Sequence, residues 1–94
     1  MVKIRAGRGD NLASDIDNAP GRTEKLIKMA RERFGDNTKL MIDGNGSYSV
    51  KEAIRIGKIL EDFNYYFYEE PVPWDWYEEQ KWVEEALDIP MAGW

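Results

Sequence analysis

The stretch LMIDGNGSYSVKEA, Leu40 to Ala53, decides how this chain folds. It sets an Asp, an Asn and two Gly between an apolar run and the start of a helix. One reading makes it a calcium-binding loop between two helices. The other makes it the end of a buried parallel strand that carries one carboxylate of a magnesium site. The two readings imply different proteins.

The calcium reading has a definite template. An EF-hand loop takes oxygen ligands from positions 1, 3, 5, 7 and 9, with Gly at 6 and a bidentate Glu at 12. Counting from Met41, Asp43, Asn45, Gly46, Ser49 and Glu52 all fall in register. Met41 itself cannot ligate, and Tyr48 stands where an aliphatic residue is usual. The incoming helix is also missing, because the preceding apolar segment is short and follows Gly35-Asp36-Asn37. Glu52 has a second explanation, since Ser49 and Glu52 match the N-cap and N3 positions of a capping box.

The flanking segments favour the strand reading. Val2–Ala6 reads as a short strand, and residues 7–21 as a long polar loop able to act as a binding or lid segment. The Arg8-Gly9-Asp10 tripeptide in that loop is read as an ordinary turn rather than an adhesion signal. Arg22–Phe34 has Leu26, Ile27, Ala30 and Phe34 at helical spacing, with Gly35 as a C-terminal stop. Lys39–Ile42 is a continuous apolar run suited to a strand buried on both faces. A second helix runs from Ser49 to about Phe63. Tyr65–Tyr68 then reads as a strand ended by Pro71. Asp75 and Glu78 suggest the cap of a third helix over Trp76–Leu87, with Val83, Ala86 and Leu87 inward, and Ile89–Ala92 as a fourth strand. Strands alternating with helices of this length predict a parallel sheet. The fold class is therefore α/β: a βαβαβαβ run amounting to half of a TIM-type barrel, whose eight units take about 250 residues.

Composition narrows the chemistry. The 94 residues allow one domain, residues 1–94. A net charge of −5 argues against a nucleic-acid partner. No apolar run is long enough for a membrane span, and the N-terminus lacks the apolar core of a signal peptide, so a cytoplasmic setting is expected. The absence of Cys and His restricts any metal to oxygen ligands, which suits Mg²⁺ or Ca²⁺. It also leaves Lys, Tyr or a carboxylate for proton transfer.

In parallel barrels the functional side chains gather at the C-terminal strand ends. Here those ends supply Lys3 and Arg5, then Asp43, then Glu69 and Glu70. Adjacent strands lie about 4.8 Å apart, so Asp43 and Glu69, one β-α unit apart, can reach a single cation. Each residue alone has a plainer explanation: a turn cap for Asp43, a charged loop start for Glu69 and Glu70, an edge-strand guard for Lys3 and Arg5. The weight lies in their equivalent positions in successive units.

These segments resemble the barrel of the enolase superfamily, of the mandelate racemase/muconate lactonizing enzyme type. VKIRAG resembles that family's Lys-x-Lys strand, LMIDGNGSYS its Asp-x-Asn-Gly strand end, YYFYEEPVP its Glu-Glu-Pro strand end, and DIPMAG the strand that brings the next carboxylate. The resemblance implies an enzyme, a Mg²⁺-dependent lyase or isomerase, that removes a proton next to a carboxylate of a small sugar-acid or hydroxy-acid substrate. The metal stabilises the enediolate. It also implies Asp43 and Glu69 as metal ligands, Glu70 as their supporting neighbour, Asn45 as a substrate contact, and Lys3 and Arg5 as the catalytic pair. Arg5 departs from the family's second Lys. Arg is a poor base and a better electrostatic clamp. Some acid-sugar dehydratases of the family carry Arg there, so the resemblance implies a dehydratase before a racemase. Trp94 stands where the family has Gly, and the third metal carboxylate, the capping domain and the later strands lie outside the sequence. The chain is therefore expected to be a fragment, inactive alone, weak in Mg²⁺ binding and self-associating through open sheet edges. An EF-hand-like Ca²⁺ module and a non-catalytic α/β scaffold are the alternatives.

Overall fold

The computed structural model describes residues 1–7, 15 and 20–92. The Arg8-Gly9-Asp10 turn, most of the long loop after the first strand, and Trp94 lie outside the described residues. Strand β1 is Val2–Arg5, helix α1 Arg22–Phe34, β2 Leu40–Asp43, α2 Val50–Asp62, β3 Phe67–Glu69, α3 Tyr77–Ala86 and β4 Met91–Ala92. The four strands form one parallel sheet in the order β1-β2-β3-β4. This is the βαβαβαβ arrangement expected, with half the strands of an eight-stranded barrel. Among the described residues, no helix is long and apolar enough to cross a membrane.

Register explains how the chain sorts its side chains. Ile4, Ile42 and Tyr68 are neighbours in one row across the sheet. Leu40, Ile42 and Tyr68 are fully buried, together with Ile27 of α1, Ala53, Ile56 and Leu60 of α2, and Val83 of α3. The Tyr68 hydroxyl donates to the Ala53 carbonyl at 3.0 Å, so this large side chain buries its polar tip without an unmet hydrogen bond. Burial, and the nearby Tyr48 and Glu52, push its phenol well above the usual range. Because strand side chains alternate, the opposite face carries Lys3, Met41 and Phe67 in one row and Arg5, Asp43 and Glu69 in the next. That face is mixed in chemistry.

Several boundaries differ from expectation, each for a local reason. The calcium loop is excluded: Leu40–Asp43 is a strand paired on both sides, and the Glu52 carboxylate bonds Arg55, with Nε at 2.9 Å. The capping box is only half made. Ser49 Oγ accepts from the Glu52 amide at 3.3 Å, but the Ser49 amide donates to Asp15 Oδ1 at 2.6 Å. A carboxylate from the preceding long loop thus takes the place expected for Glu52. Strand β3 begins at Phe67 because Tyr65 is diverted: its hydroxyl donates to the Ile27 carbonyl at 2.8 Å, wedging the ring under α1. Asp75 caps nothing. A turn closed by the Trp76 amide on the Pro73 carbonyl (3.0 Å) starts α3 one residue later. Phe34 is exposed, since the buried stripe of α1 runs through Thr23, Ile27 and Ala30.

Candidate functional site

The site lies at the C-terminal rim of the sheet, where the backbone holds it together. After β2 the chain turns sharply through Asn45 and Gly46, both with positive φ, then runs beside the segment following β3. The Gly44 amide donates to Glu69 O and the Gly46 amide to Glu70 O, each at 2.8 Å, and the Tyr48 amide donates to Pro71 O at 3.0 Å. On the other side, the Ala6 amide donates to Asp43 O at 2.9 Å. Gly44 permits this closeness: a Cβ there would lie 2.9 Å from the Glu70 carbonyl oxygen and 3.0 Å from Pro71 Cα. These three-strand contacts fix where the rim side chains start.

Asp43, the last residue of β2, is 5% exposed. Its Oδ1 accepts from the Asn45 amide at 2.9 Å, an Asx-type turn that leaves Oδ2 free to face the sheet's open side. Glu69 stands beside it in register. Lys3 reaches up from β1 between the two: its Nζ lies 2.8 Å from Glu69 Oε2 and 3.4 Å from Asp43 Oδ2. Glu69 Oε2 is shielded from solvent and, apart from Lys3, has no hydrogen-bond donor among the described residues. The Glu69 carboxylate first, and the Asp43 charge after it, raise the Lys3 pKa against a smaller opposing effect of burial.

The other rim residues fall around this pair. Arg5 is level with Asp43, exposed, and has no ion-pair partner among the described residues. The Asn45 amide group donates to the Ala6 carbonyl at a long 3.5 Å, so it spans the β1 and β2 ends. Glu70 takes a left-handed conformation, φ 48°, immediately before Pro71. A residue before proline normally stays extended, and such strain, of order 1–3 kcal/mol, concentrates at functional sites. Burial, and then the nearby Asp43 and Glu69 charges, raise the Glu70 pKa, with Lys3 partly offsetting them.

Chemically, this is an oxygen-donor pair converging on one cation. Asp43 is nearly buried and Glu69 Oε2 is shielded with Lys3 as its one donor among the described residues, a pattern that suits a hard divalent ion such as Mg²⁺. Among the described residues, no group of three or more potential metal-ligating side chains gathers, so Asp43 and Glu69 are the pair that could hold a metal. Two participants were not anticipated from sequence: Asp15, which ties the long loop to the start of α2, and Gly44, which lets β2 and β3 approach. Asp15 had no local signal, because its partner lies 34 positions away.

The Enolase C-terminal domain-like family model matches residues 1–93. An arabinonate dehydratase from Saccharolobus solfataricus is 34% identical over 98% of this chain and 22% of its own length. The L-talarate/galactarate dehydratase of Salmonella typhimurium is 33% identical over 97% of the chain and 21% of its own. A solved mandelate racemase/muconate lactonizing protein from Paracoccus denitrificans, complexed with magnesium, superposes with a TM-score of 0.88 at 35% identity, covering 98% of this chain and 24% of that one. The chain spans about a fifth of the length of the curated relatives it matches.

Proposed function

Because this chain belongs to the Enolase C-terminal domain-like family, we propose that its rim is the metal-holding half of an acid-sugar dehydratase, with a racemase of hydroxy acids as the related outcome. The observation that carries this is the convergence of Asp43 Oδ2 and Glu69 Oε2 on one point, now marked by Lys3 Nζ. Asp43 and Glu69 are the residues that would hold Mg²⁺. Bound there, the ion supplies a Lewis acid for the negative charge that develops when a proton leaves the carbon next to a carboxylate. The relatives named for sugar-acid dehydration support this substrate class.

The remaining roles follow from charge. Arg5 is permanently protonated and Lys3 is held protonated by Glu69. The β1 pair therefore offers positive charge to an anionic substrate rather than a lone pair to its proton. In this reading neither residue of the β1 pair is the base. Asn45 is placed to contact substrate, and Glu70 to support the ligand pair from the side. Alone, the 94 residues are expected to bind Mg²⁺ weakly, to be inactive and to pair through the free edges of β1 and β4. A cytoplasmic setting is part of the same proposal.

Electron paramagnetic resonance of added Mn²⁺ tests the metal assignment, since the free-ion signal falls as ions bind. The signal loss is expected for the parent chain and should disappear in both Asp43→Asn and Glu69→Gln. Undiminished binding by either variant would refute it.

A further inference from the structure

We propose that the Lys3 ammonium is a built-in placeholder for the divalent ion. It sits between Asp43 and Glu69 and must withdraw for metal to bind there, so it sets the metal affinity of the rim. The inference rests on reading the rim as a metal site.

Position supports it first. Lys3 Nζ is 2.8 Å from Glu69 Oε2 and 3.4 Å from Asp43 Oδ2, on the oxygens that the turn hydrogen bond to Asp43 Oδ1 leaves unused. Need supports it second. Asp43 is nearly buried, and Glu69 Oε2 is shielded and has no hydrogen-bond donor other than Lys3 among the described residues. Two carboxylates this close repel each other unless a cation lies between them. Lys3 supplies that cation without an ion. Freedom supports it third. The Lys3 side chain is 44% exposed, whereas that of Asp43 is 7% exposed. Lysine is a compact charge on a flexible stem, so it can swing to solvent while the carboxylates stay fixed by β2 and β3. Ammonium and divalent ion cannot share the point, because like charges a few ångströms apart repel by several kcal/mol even at an intermediate dielectric.

The test uses Lys3→Met and Lys3→Arg in the full chain. Mn²⁺ affinity is read by electron paramagnetic resonance, and thermal stability by circular dichroism with EDTA or with Mg²⁺. Lys3→Met is expected to melt lower than the parent in EDTA, to gain more from Mg²⁺, and to bind Mn²⁺ about tenfold more tightly or better. Lys3→Arg keeps the charge and should bind no more tightly than the parent. If Lys3→Met is unfolded in EDTA, Mg²⁺ should fold it, and failure to fold at saturating Mg²⁺ overturns the placeholder. So does a folded Lys3→Met whose Mn²⁺ affinity equals or falls below the parent's. Absence of Mn²⁺ binding in the parent and both variants, with Glu69→Gln indistinguishable from them, would instead overturn the metal reading beneath it.

Discussion

Replacing Gly44 with Ala adds one methyl group, and the structure determines the sign of its effect. Gly44 is not among the residues with positive φ, so Ala can adopt its backbone conformation. In open space the change would stabilise the protein by about 0.4–1 kcal/mol, through the lower entropy of the unfolded chain. The rim leaves no such space. The new Cβ would meet the Glu70 carbonyl oxygen at 2.9 Å and Pro71 Cα at 3.0 Å, both backbone atoms that cannot rotate away. Relief requires β2 and the segment after β3 to part by roughly half an ångström, stretching the 2.8 Å bonds from Gly44 and Gly46 towards the limit of hydrogen-bond geometry. Overpacking of this kind costs about 1–3 kcal/mol. The same displacement separates Asp43 from Glu69, and Mg²⁺ demands near-ideal geometry at 2.0–2.1 Å. Urea unfolding followed by circular dichroism should show the loss of stability, and Mn²⁺ titration a fall in affinity of about tenfold. A Gly44→Ala protein as stable as the parent or more so would refute the steric argument. A destabilised one with unchanged Mn²⁺ affinity would show that the junction does not position the carboxylates.

Arg31 is the strongest candidate for a purely structural role. Its guanidinium donates to the carbonyls of Phe63 (2.9 Å), Gly35 (2.8 Å), Thr38 (2.7 Å) and Asn64 (2.8 Å), and lies 5.7 Å from the centre of the Tyr65 ring. Arg31→Met should cost about 2–4 kcal/mol in urea unfolding, a large part of the 5–15 kcal/mol typical of a domain; a loss under about 1 kcal/mol would mean water replaces it. Burial raises the Tyr65 phenol to about 12 against a smaller opposing effect of Arg31. The neutral phenol is favoured in the folded state, so its contribution to stability is complete below about pH 10 and is lost as pH rises towards 12. Tyr65→Phe should flatten that loss while lowering the neutral-pH stability by about 1 kcal/mol, the worth of the bond to Ile27 O; parallel pH curves for the two proteins would contradict this. Gel filtration at micromolar concentration should show self-association, and a well-folded monomer would remove the edge-pairing proposal.

Some of this was legible in the sequence because the determinants are local. Ser49 announces the start of α2 by its chemistry alone, and the continuous apolar run at Lys39–Ile42 suits a strand buried on both faces. The adjacency of Asp43 and Glu69 was legible because a repeating β-α unit converts equal spacing into neighbouring register positions. The missed features depend on distant partners. Tyr65 looks like strand until its hydroxyl is seen to need Ile27 O. Glu52 completes a capping box only if no other carboxylate arrives first, and Asp15 does. Asp75 has the composition of a cap, but the Pro73 turn shifts the helix past it. Lys3 was read as a catalytic residue from its motif; its seat between two carboxylates depends on register and side-chain reach, which no short window of sequence contains.

The rim's frame is built from main-chain groups: Gly44 to Glu69, Gly46 to Glu70, Tyr48 to Pro71, Ala6 to Asp43. Apart from Gly44, whose smallness is essential, and Gly46, whose positive φ favours glycine, none of these bonds depends on which side chain its residue carries. Selection can therefore exchange the displayed chemistry at a position such as Arg5 while the lattice beneath stays intact. Such a scaffold is well suited to diversification: new reactivity can be tried at the strand tips with little threat to foldability.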